Sequence, residues 1–353
     1  MIDYRSKTRK ELERLMESWG ESAFRGRQLF RWLWKPGLSG LNEISEMSKS
    51  LRARLVREGF LYDLEVVARQ VSSSDGTCKW AFRLFDGSLI ETVLIPGDTH
   101  TTLCVSSQVG CAMGCTFCKT GSMGFFRNLY PSEIAGQVLA VMKDTSQKLW
   151  PRNIVYMGMG EPLANFENVV SSIKILTNEL GLNFSKRRIT VSTCGVAPLI
   201  PRLSKEVDVG LAISLHATTD ELRSRIMPIN KRYPLKELMA ACKQFELPKR
   251  RRITFEYIVL GGVNHFRDDA RRLARLLSSI PSKINLIAYN EVDGLDFRPP
   301  TREELLCFQD MLVKRGFTAI IRKSKGCDID AACGQLWSNF SKEKGRKEAV
   351  SPG

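Results

Sequence analysis

Histidine is scarce: the 353 residues contain three, His100, His216 and His265, widely separated. Zinc chemistry built on clustered histidines is therefore not expected. No apolar run approaches the roughly 18 residues that a membrane span needs. The N-terminal MIDYRSKTRKELERL is charged from residue 3 onward and lacks the apolar stretch and small-residue cleavage site of a secretory signal. Acidic residues are also in short supply, with 38 Asp and Glu against 53 Lys and Arg and a formal net charge of +15. That surplus points to a polyanionic partner, nucleic acid or an anionic membrane face. The ten cysteines, without an export signal, lead us to expect a cytoplasmic protein. In that reducing compartment thiols more often bind metal or do chemistry than form structural disulfides.

Residues 1 to about 60 read as three helices, KELERLMESWG, SAFRGRQLFRWLWKPG and MSKSLRARLVREGF, the first two ending at glycine or Pro-Gly and the third at Gly59. Three strand-like runs follow, LEVVARQV, CKWAFRLF and LIETVLIP, with hairpin turns at Asp75-Gly76 and Asp86-Gly87. From Thr102 onward seven strand patterns alternate with amphipathic helical ones, the signature of βα units and a parallel sheet or barrel. The expected organisation is a helical accessory domain over 1–60, a β extension over 61–98 carrying Glu91, a partial α/β barrel over 99–335 and a basic, disordered tail over 336–353. In such a barrel the chemistry sits at the C-terminal ends of the strands. Ser192, Ser214-Leu215-His216 and Asn290 close the third, fourth and sixth strands, and are expected to point into one mouth.

Four of the ten cysteines fall in TLCVSSQVGCAMGCTFCKTG, where Cys111, Cys115 and Cys118 have a C-x3-C-x2-C spacing and Cys104 precedes them. Thiolates on one short loop suit zinc or an iron–sulfur cluster. A closed zinc site wants four ligands; three thiolates on a cubane would leave one iron open, as a catalytic centre requires. One βα unit later comes Tyr156-Met157-Gly158-Met159-Gly160-Glu161-Pro162. Glycines there are expected to let the backbone approach a ligand, and Glu161 to accept from an ammonium group.

The cysteine loop after the first strand of a βα series, followed by Gly-Met-Gly-Glu-Pro, resembles the radical S-adenosylmethionine superfamily. That resemblance implies a (βα)6-type partial barrel, a [4Fe-4S] cluster on Cys111, Cys115 and Cys118, and S-adenosylmethionine held by Gly160, Glu161, Ser192, Ser214, Leu215, His216 and Asn290. Cys104, the ETVLIP strand, GFFRNL and DIDAACGQLW with Cys333 narrow it to the RlmN/Cfr family of RNA adenine methyltransferases, over essentially the whole chain. The family resemblance implies that Cys333 carries a methyl group taken from one cofactor molecule. A second, cleaved at the cluster, activates that methyl for addition to carbon 2 of adenine in 23S rRNA and tRNA. It further implies Glu91 as acceptor of the C2 proton and Cys104 as the thiol that resolves the protein–RNA adduct, with an external electron donor, an external disulfide reductant and no obligate protein partner.

Two alternatives stay open at this point: a C8 methyltransferase of the Cfr type, and a nonenzymatic basic RNA-binding metalloprotein. Arg25, Arg27, Arg31 and Lys35, beside Trp32 and Trp34, are candidate RNA contacts, as are Phe125, Phe126 and Arg127. Cys78, Cys194, Cys242 and Cys307 are expected to be packing residues.

Overall fold

The computed structural model describes residues 1–145, 150–247, 251–291 and 297–336. The tail read from the sequence falls, from residue 337 on, outside the described residues. The chain opens with β1 (Ile2–Asp3), α1 (Arg9–Ser18), α2 (Ala23–Leu33) and α3 (Lys49–Glu58), and β2 (Gly59–Phe60) returns to pair with β1 in parallel. Thr8 and Glu11 form a reciprocal cap at the start of α1, satisfying backbone donors that a helix terminus leaves open.

A ten-stranded sheet organises the rest. Its antiparallel wing is β3 (Glu65–Val71), β4 (Cys78–Arg83) and β5 (Leu89–Ile95). β5 then pairs antiparallel with β6 (Thr102–Cys104). β6 in turn begins a parallel series, continued by β9 (Asn153–Tyr156), β10 (Ile189–Thr193), β11 (Gly210–Ser214), β12 (Ile253–Val259), β13 (Ser282–Ala288) and β14 (Ala319–Arg322). Every residue of β12 is buried, as expected of a parallel strand covered on both faces. The seven strands read from periodicity are all present, and the antiparallel wing is continuous with them through the β5–β6 pair.

Between β6 and β9 the chain adds a hairpin, β7 (Gln108–Gly110) and β8 (Phe125–Asn128), with a short helix α4 (Lys119–Ser122) inside its loop. The long helix α5 (Pro131–Asp144) follows, buried from Pro131 to Met142. It packs on the wing through Trp80 Nε1, which donates to Asp144 (2.8 Å), and Thr92, which donates to Gln137 (2.7 Å). Its other flank meets the N-terminal unit at Ser6–Ser132, so a helix apolar nearly all round is explained by burial nearly all round. The remaining helices are α6 (Phe166–Leu176), α7 (Leu199–Glu206), α8 (Asp220–Ile226), α9 (Leu235–Gln244), α10 (Arg267–Leu277) and α11 (Arg302–Val313). Sequence periodicity had not identified α4, α7, α8 or the β7–β8 hairpin, because each is short and its sequence is mixed.

Because β5 runs against β6, with Val93 opposite Cys104 and Ile95 opposite Thr102, the first residues of β5 and the Asp86-Gly87 turn lie at the end where the parallel strands finish. That end is the mouth.

Candidate active site

The mouth holds a cleft with two joined lobes. Cys111, Cys115 and Cys118 line the first, together with Gly160, Glu161, Ser192, Ser214 and His216. Cys104 and Asn290 line the second, and Cys118 and Cys333 belong to both. The loop that carries the three cysteines is anchored by backbone bonds: Cys111 N–H to Gly124 (2.8 Å), Thr116 N–H to Ile226 (3.0 Å) and Lys119 N–H to Gly334 (2.8 Å). The last of these ties the cysteine loop directly to the segment bearing Cys333.

Burial pushes the Cys111 thiol up to about 12 and raises those of Cys115 and Cys118 as well. Neutral thiols in this dry wall become ligands only when a metal's positive charge displaces their protons. Among the described residues no three Cys, His, Asp or Glu side chains converge as a single-ion site. Thiolates on one zinc ion must crowd within about 4 Å of each other, whereas those on a cubane are held apart by its separate irons. Three thiols lining one lobe form a donor set that fits an iron–sulfur cluster.

The Gly-Met-Gly-Glu-Pro turn is shaped by its neighbours. A Cβ at Gly158 would lie 2.7 Å from the Val105 backbone, and one at Gly160, where φ is +98°, 2.5 Å from Gln108. The glycines thus serve close packing on β6–β7 while lining the first lobe of the cleft. Glu161 accepts from Leu163 N–H (2.9 Å) and Cys194 N–H (2.7 Å), so both carboxylate oxygens already hold rim loops in place. Burial raises its carboxyl.

His216 has a left-handed backbone (φ +60°), and its Nδ1 accepts from Ile258 N–H at 3.0 Å. That bond leaves the ring proton on Nε2. Burial, reinforced by Arg223, lowers the imidazole to about 3, so the ring is neutral and its edge packs on Phe117 (4.9 Å between centroids). Leu215 between Ser214 and His216 turns its side chain into the main core and is fully buried. Its backbone, not its side chain, belongs to the rim. Asn290 lines the second lobe, which it shares with Cys118, and its amide oxygen accepts from the Cys327 thiol (3.7 Å).

Cys104 is buried on β6, and burial together with the nearby Cys333 pushes its thiol up to about 12. Cys333 is open to water within the cleft although protein surrounds it, and burial raises its thiol while Arg322 opposes the rise. All ten cysteines are free thiols here. Glu91 does not line either lobe. It is 1% exposed on β5 and pairs with the equally buried Lys79 of β4 at 3.6 Å. The Lys79 ammonium also donates to the Asp330 carbonyl at 3.3 Å, so one cation joins Glu91 to the segment leading to Cys333.

The radical SAM superfamily model matches residues 105–277, and the ribosomal RNA large subunit methyltransferase N-terminal domain matches residues 2–59. The dual-specificity RNA methyltransferase RlmN of Geobacter sulfurreducens is 50% identical over 352 residues, covering 100% of this chain and 94% of that protein. The corresponding protein of Anaeromyxobacter sp. is 49% identical and covers 99% and 94%. This chain belongs to the RlmN family of radical SAM enzymes. A crystal structure of a radical SAM methyltransferase from Sphaerobacter thermophilus superposes with a TM-score of 0.87 at 42% identity, over 95% of this chain and 99% of that one.

RlmN-family membership removes the nonenzymatic alternative: the chain is a radical SAM methyltransferase, with a [4Fe-4S] cluster and S-adenosylmethionine as its cofactors. Several residues of this RlmN-family site went unread in the sequence. Arg223 is fully buried and donates to the carbonyls of Leu215 (3.1 Å), Cys194 (2.6 Å) and Ser214 (3.1 Å), fastening three rim positions. Glu256 of β12 lines the first lobe, with Oε1 accepting from Asn285 (2.9 Å). A glutamate or lysine inside an otherwise apolar strand, as in TFEYIVL and CKWAFRLF, was the available signal. Cys327 was overlooked as a thiol, and it is exposed.

Of the cysteines expected to pack, Cys78 and Cys242 do, Cys194 lines the first lobe, and Cys307 is exposed on α11. The N-terminal basic candidates are engaged within the chain. Arg31 pairs with Glu46 (2.6 Å), Arg27 with Glu13 (3.5 Å), Arg25 donates to Gln28 (2.8 Å), and Lys35 covers the Trp32 ring (4.7 Å), while Trp34 is core. Arg31, Trp32 and Lys35 border a groove with Trp150 and Leu180–Leu182, which precede β9 and follow α6, at the end of the strands opposite the mouth. No helix among the described residues is long and apolar enough to cross a membrane.

Proposed function

We propose that this chain methylates carbon 2 of adenine in 23S rRNA and tRNA, with Cys333 as the methyl carrier. The observation that carries the reading is the meeting of Cys104, Cys118 and Cys333 around one cleft, from positions up to more than two hundred residues apart. RNA as substrate agrees with the names of the full-length relatives and with the match of residues 2–59.

Cys111, Cys115 and Cys118 hold the cluster, and Gly160, Glu161, Ser192, Ser214, the Leu215 backbone, His216 and Asn290 surround the adenosyl cofactor. When bound, cluster and cofactor together supply the adenosyl radical that activates a methyl group. Cys333 would present that methyl as a thioether at the junction of the two lobes, and Glu91 would accept the C2 proton once carbon 2 is bonded to the methyl carbon. Cys104, as its thiolate, would then attack the Cys333 sulfur, forming the sulfur–sulfur bond as the sulfur–carbon bond breaks, with the freed carbon taking up a proton to become the methyl of the released base. The resulting Cys104–Cys333 disulfide passes its electrons' demand to an external reductant, which suits a reducing cytoplasm. Residues 1–60 form the RNA-binding accessory domain, 61–98 the extension carrying Glu91 and 99–335 the catalytic barrel.

The test is nucleoside mass spectrometry of 23S rRNA fragments and tRNA incubated with reduced, cluster-loaded enzyme and methyl-labelled cofactor. Label on adenine C2 is expected. Label on C8, or none in either RNA, overturns the assignment.

A further inference from the structure

Exposed aromatic side chains gather on one side of the mouth. Phe85, beside the Asp86-Gly87 turn, is 65% exposed, and Tyr130, at the entry to α5, is 49% exposed, with their ring centroids 6.2 Å apart. The Arg127 guanidinium lies 4.8 Å from the Phe85 centroid and 5.7 Å from that of Tyr130. Its charge is fully engaged, by Asp86 at 2.6 Å and by Glu133 at 2.8 Å. Arg127 is therefore a clamp that fixes two rings and is not a free phosphate contact.

Phe125 and Phe126 continue the surface, 46% and 65% exposed. They sit where the β7–β8 pairing shifts register opposite Gly110, and such a bulge lets two consecutive side chains both reach solvent. The same hairpin runs directly into Cys111, whose N–H donates to Gly124 at 2.8 Å. The β8 strand that carries Phe125, Phe126 and Arg127 is thus tied through its backbone to the cluster loop.

We propose that this shelf, Phe85 and Tyr130 clamped by Arg127 with Phe125 and Phe126 beside them, stacks the unpaired RNA bases that flank the target adenine. The inference rests on the RNA-methylating reading above. An adenine whose C2 edge is to react must leave its stack, which exposes the faces of its neighbours. Protein rings at the rim restore that stacking whatever the neighbouring base, since every base has a π-face. Rings held by an ion-paired arginine lose little freedom on binding, and the net charge of +15 on the chain as a whole favours a polyanionic partner.

The test compares wild type with Phe85→Ala/Tyr130→Ala and Phe85→Trp/Tyr130→Trp variants, all cluster-loaded. Binding is read by fluorescence anisotropy on a hairpin RNA with the target adenine in its loop, and on the same hairpin with abasic sites flanking that adenine. The alanine variant is expected to bind the intact hairpin roughly 10- to 100-fold more weakly, with no further loss on the abasic RNA, while the tryptophan variant keeps wild-type affinity. RNA-free cofactor cleavage and thermal unfolding serve as controls for folding. Wild-type affinity in the alanine variant, or equal losses from intact and abasic RNA, overturns the shelf while leaving RNA methylation standing. Failure of the wild type to methylate any RNA would instead remove the reading beneath it.

Discussion

The cleft is built from two regions of opposite construction. The loop from Cys111 to Cys118 is fixed by backbone hydrogen bonds to its hairpin and to α8, and Phe117 beside it packs into a buried apolar cluster with Ile226, Met227 and Tyr289. The segment from Lys325 to Cys333 has polar moorings at many points. Asp75 accepts from Gly326 N–H (2.9 Å), Asp328 from Ser73 N–H (3.0 Å), Asp330 from Lys79, and Lys325 donates to the Pro96 carbonyl. The first region is a loop of three thiols held in place by backbone bonds. The second is a segment moored to the antiparallel wing by hydrogen bonds worth about 1 kcal/mol each, with Ala331 and Ala332 buried beside Cys333. Lys79 links Glu91 to that segment, pairing with Glu91 at 3.6 Å and donating to the Asp330 carbonyl at 3.3 Å.

The largest effects should separate the two regions outright. Cys118→Ala is expected to lower bound iron and sulfide and with them all activity. Cys333→Ala should keep the cluster's absorbance and lose methyl transfer by on the order of 10³-fold or more. If Cys333→Ala also loses iron, the segment bearing Cys333 is part of the ligand set and the division fails. Cys104→Ala should leave the cluster intact and accumulate a covalent enzyme–RNA species, visible as a shifted band on denaturing gels; its absence removes Cys104 as the resolving thiol.

A smaller effect probes what lies between the regions. Lys79→Met strips Glu91 of its buried counter-charge, and breaking such a pair from one side costs about 3–5 kcal/mol. Denaturant unfolding should show that loss, and Lys79→Met/Glu91→Gln should recover part of it. Equal stability of the single and double variants would show that the pair is not coupled.

The smallest effect concerns the segment from Lys325 to Cys333 alone. Burial by itself would raise the Asp75 carboxyl, but hydrogen bonds from Thr77, Gly326 and Ser72 outweigh it and bring it down to about 2. A carboxyl lowered by folding contributes stability above its unfolded pKa and loses it as pH falls through the folded one. The Asp75 mooring should hold above about pH 4 and fail as pH approaches 2. Asp75→Asn, costing about 1 kcal/mol, should speed hydrogen exchange at the Gly326 amide at neutral pH while leaving exchange in the cysteine loop unchanged. Equal acceleration in both places would erase the contrast.

Much of this architecture could be read from residue order. The parallel strands announced themselves because each is a short β-branched run bounded by helical periodicity, as in RITVSTC and KINLIAY. The helical N-terminal unit was legible for the same reason. Hidden from that reading were features whose cause lies far along the chain. Gly158 and Gly160 are required by Val105 and Gln108; Arg223 gains its role from three carbonyls on two rim loops; Lys79 becomes meaningful only opposite Glu91. The basic face of α2 also has partners that residue order does not show, with Arg27 paired to Glu13 and Arg31 to Glu46.

By itself the sequence determined that Cys111, Cys115 and Cys118 share one loop, since local spacing constrains how far apart their thiols can be. It also determined the sequence of βα units, because hydrophobic period is a local property. Only the tertiary structure decided that Cys104 and Cys333 share a cleft with Cys118, that Glu91 is covered and charge-paired, and that Phe85 and Tyr130 face solvent together at its rim. Those meetings depend on strand order and on the reversal of β5 against β6, which bring residues from distant parts of the chain to one end of one sheet.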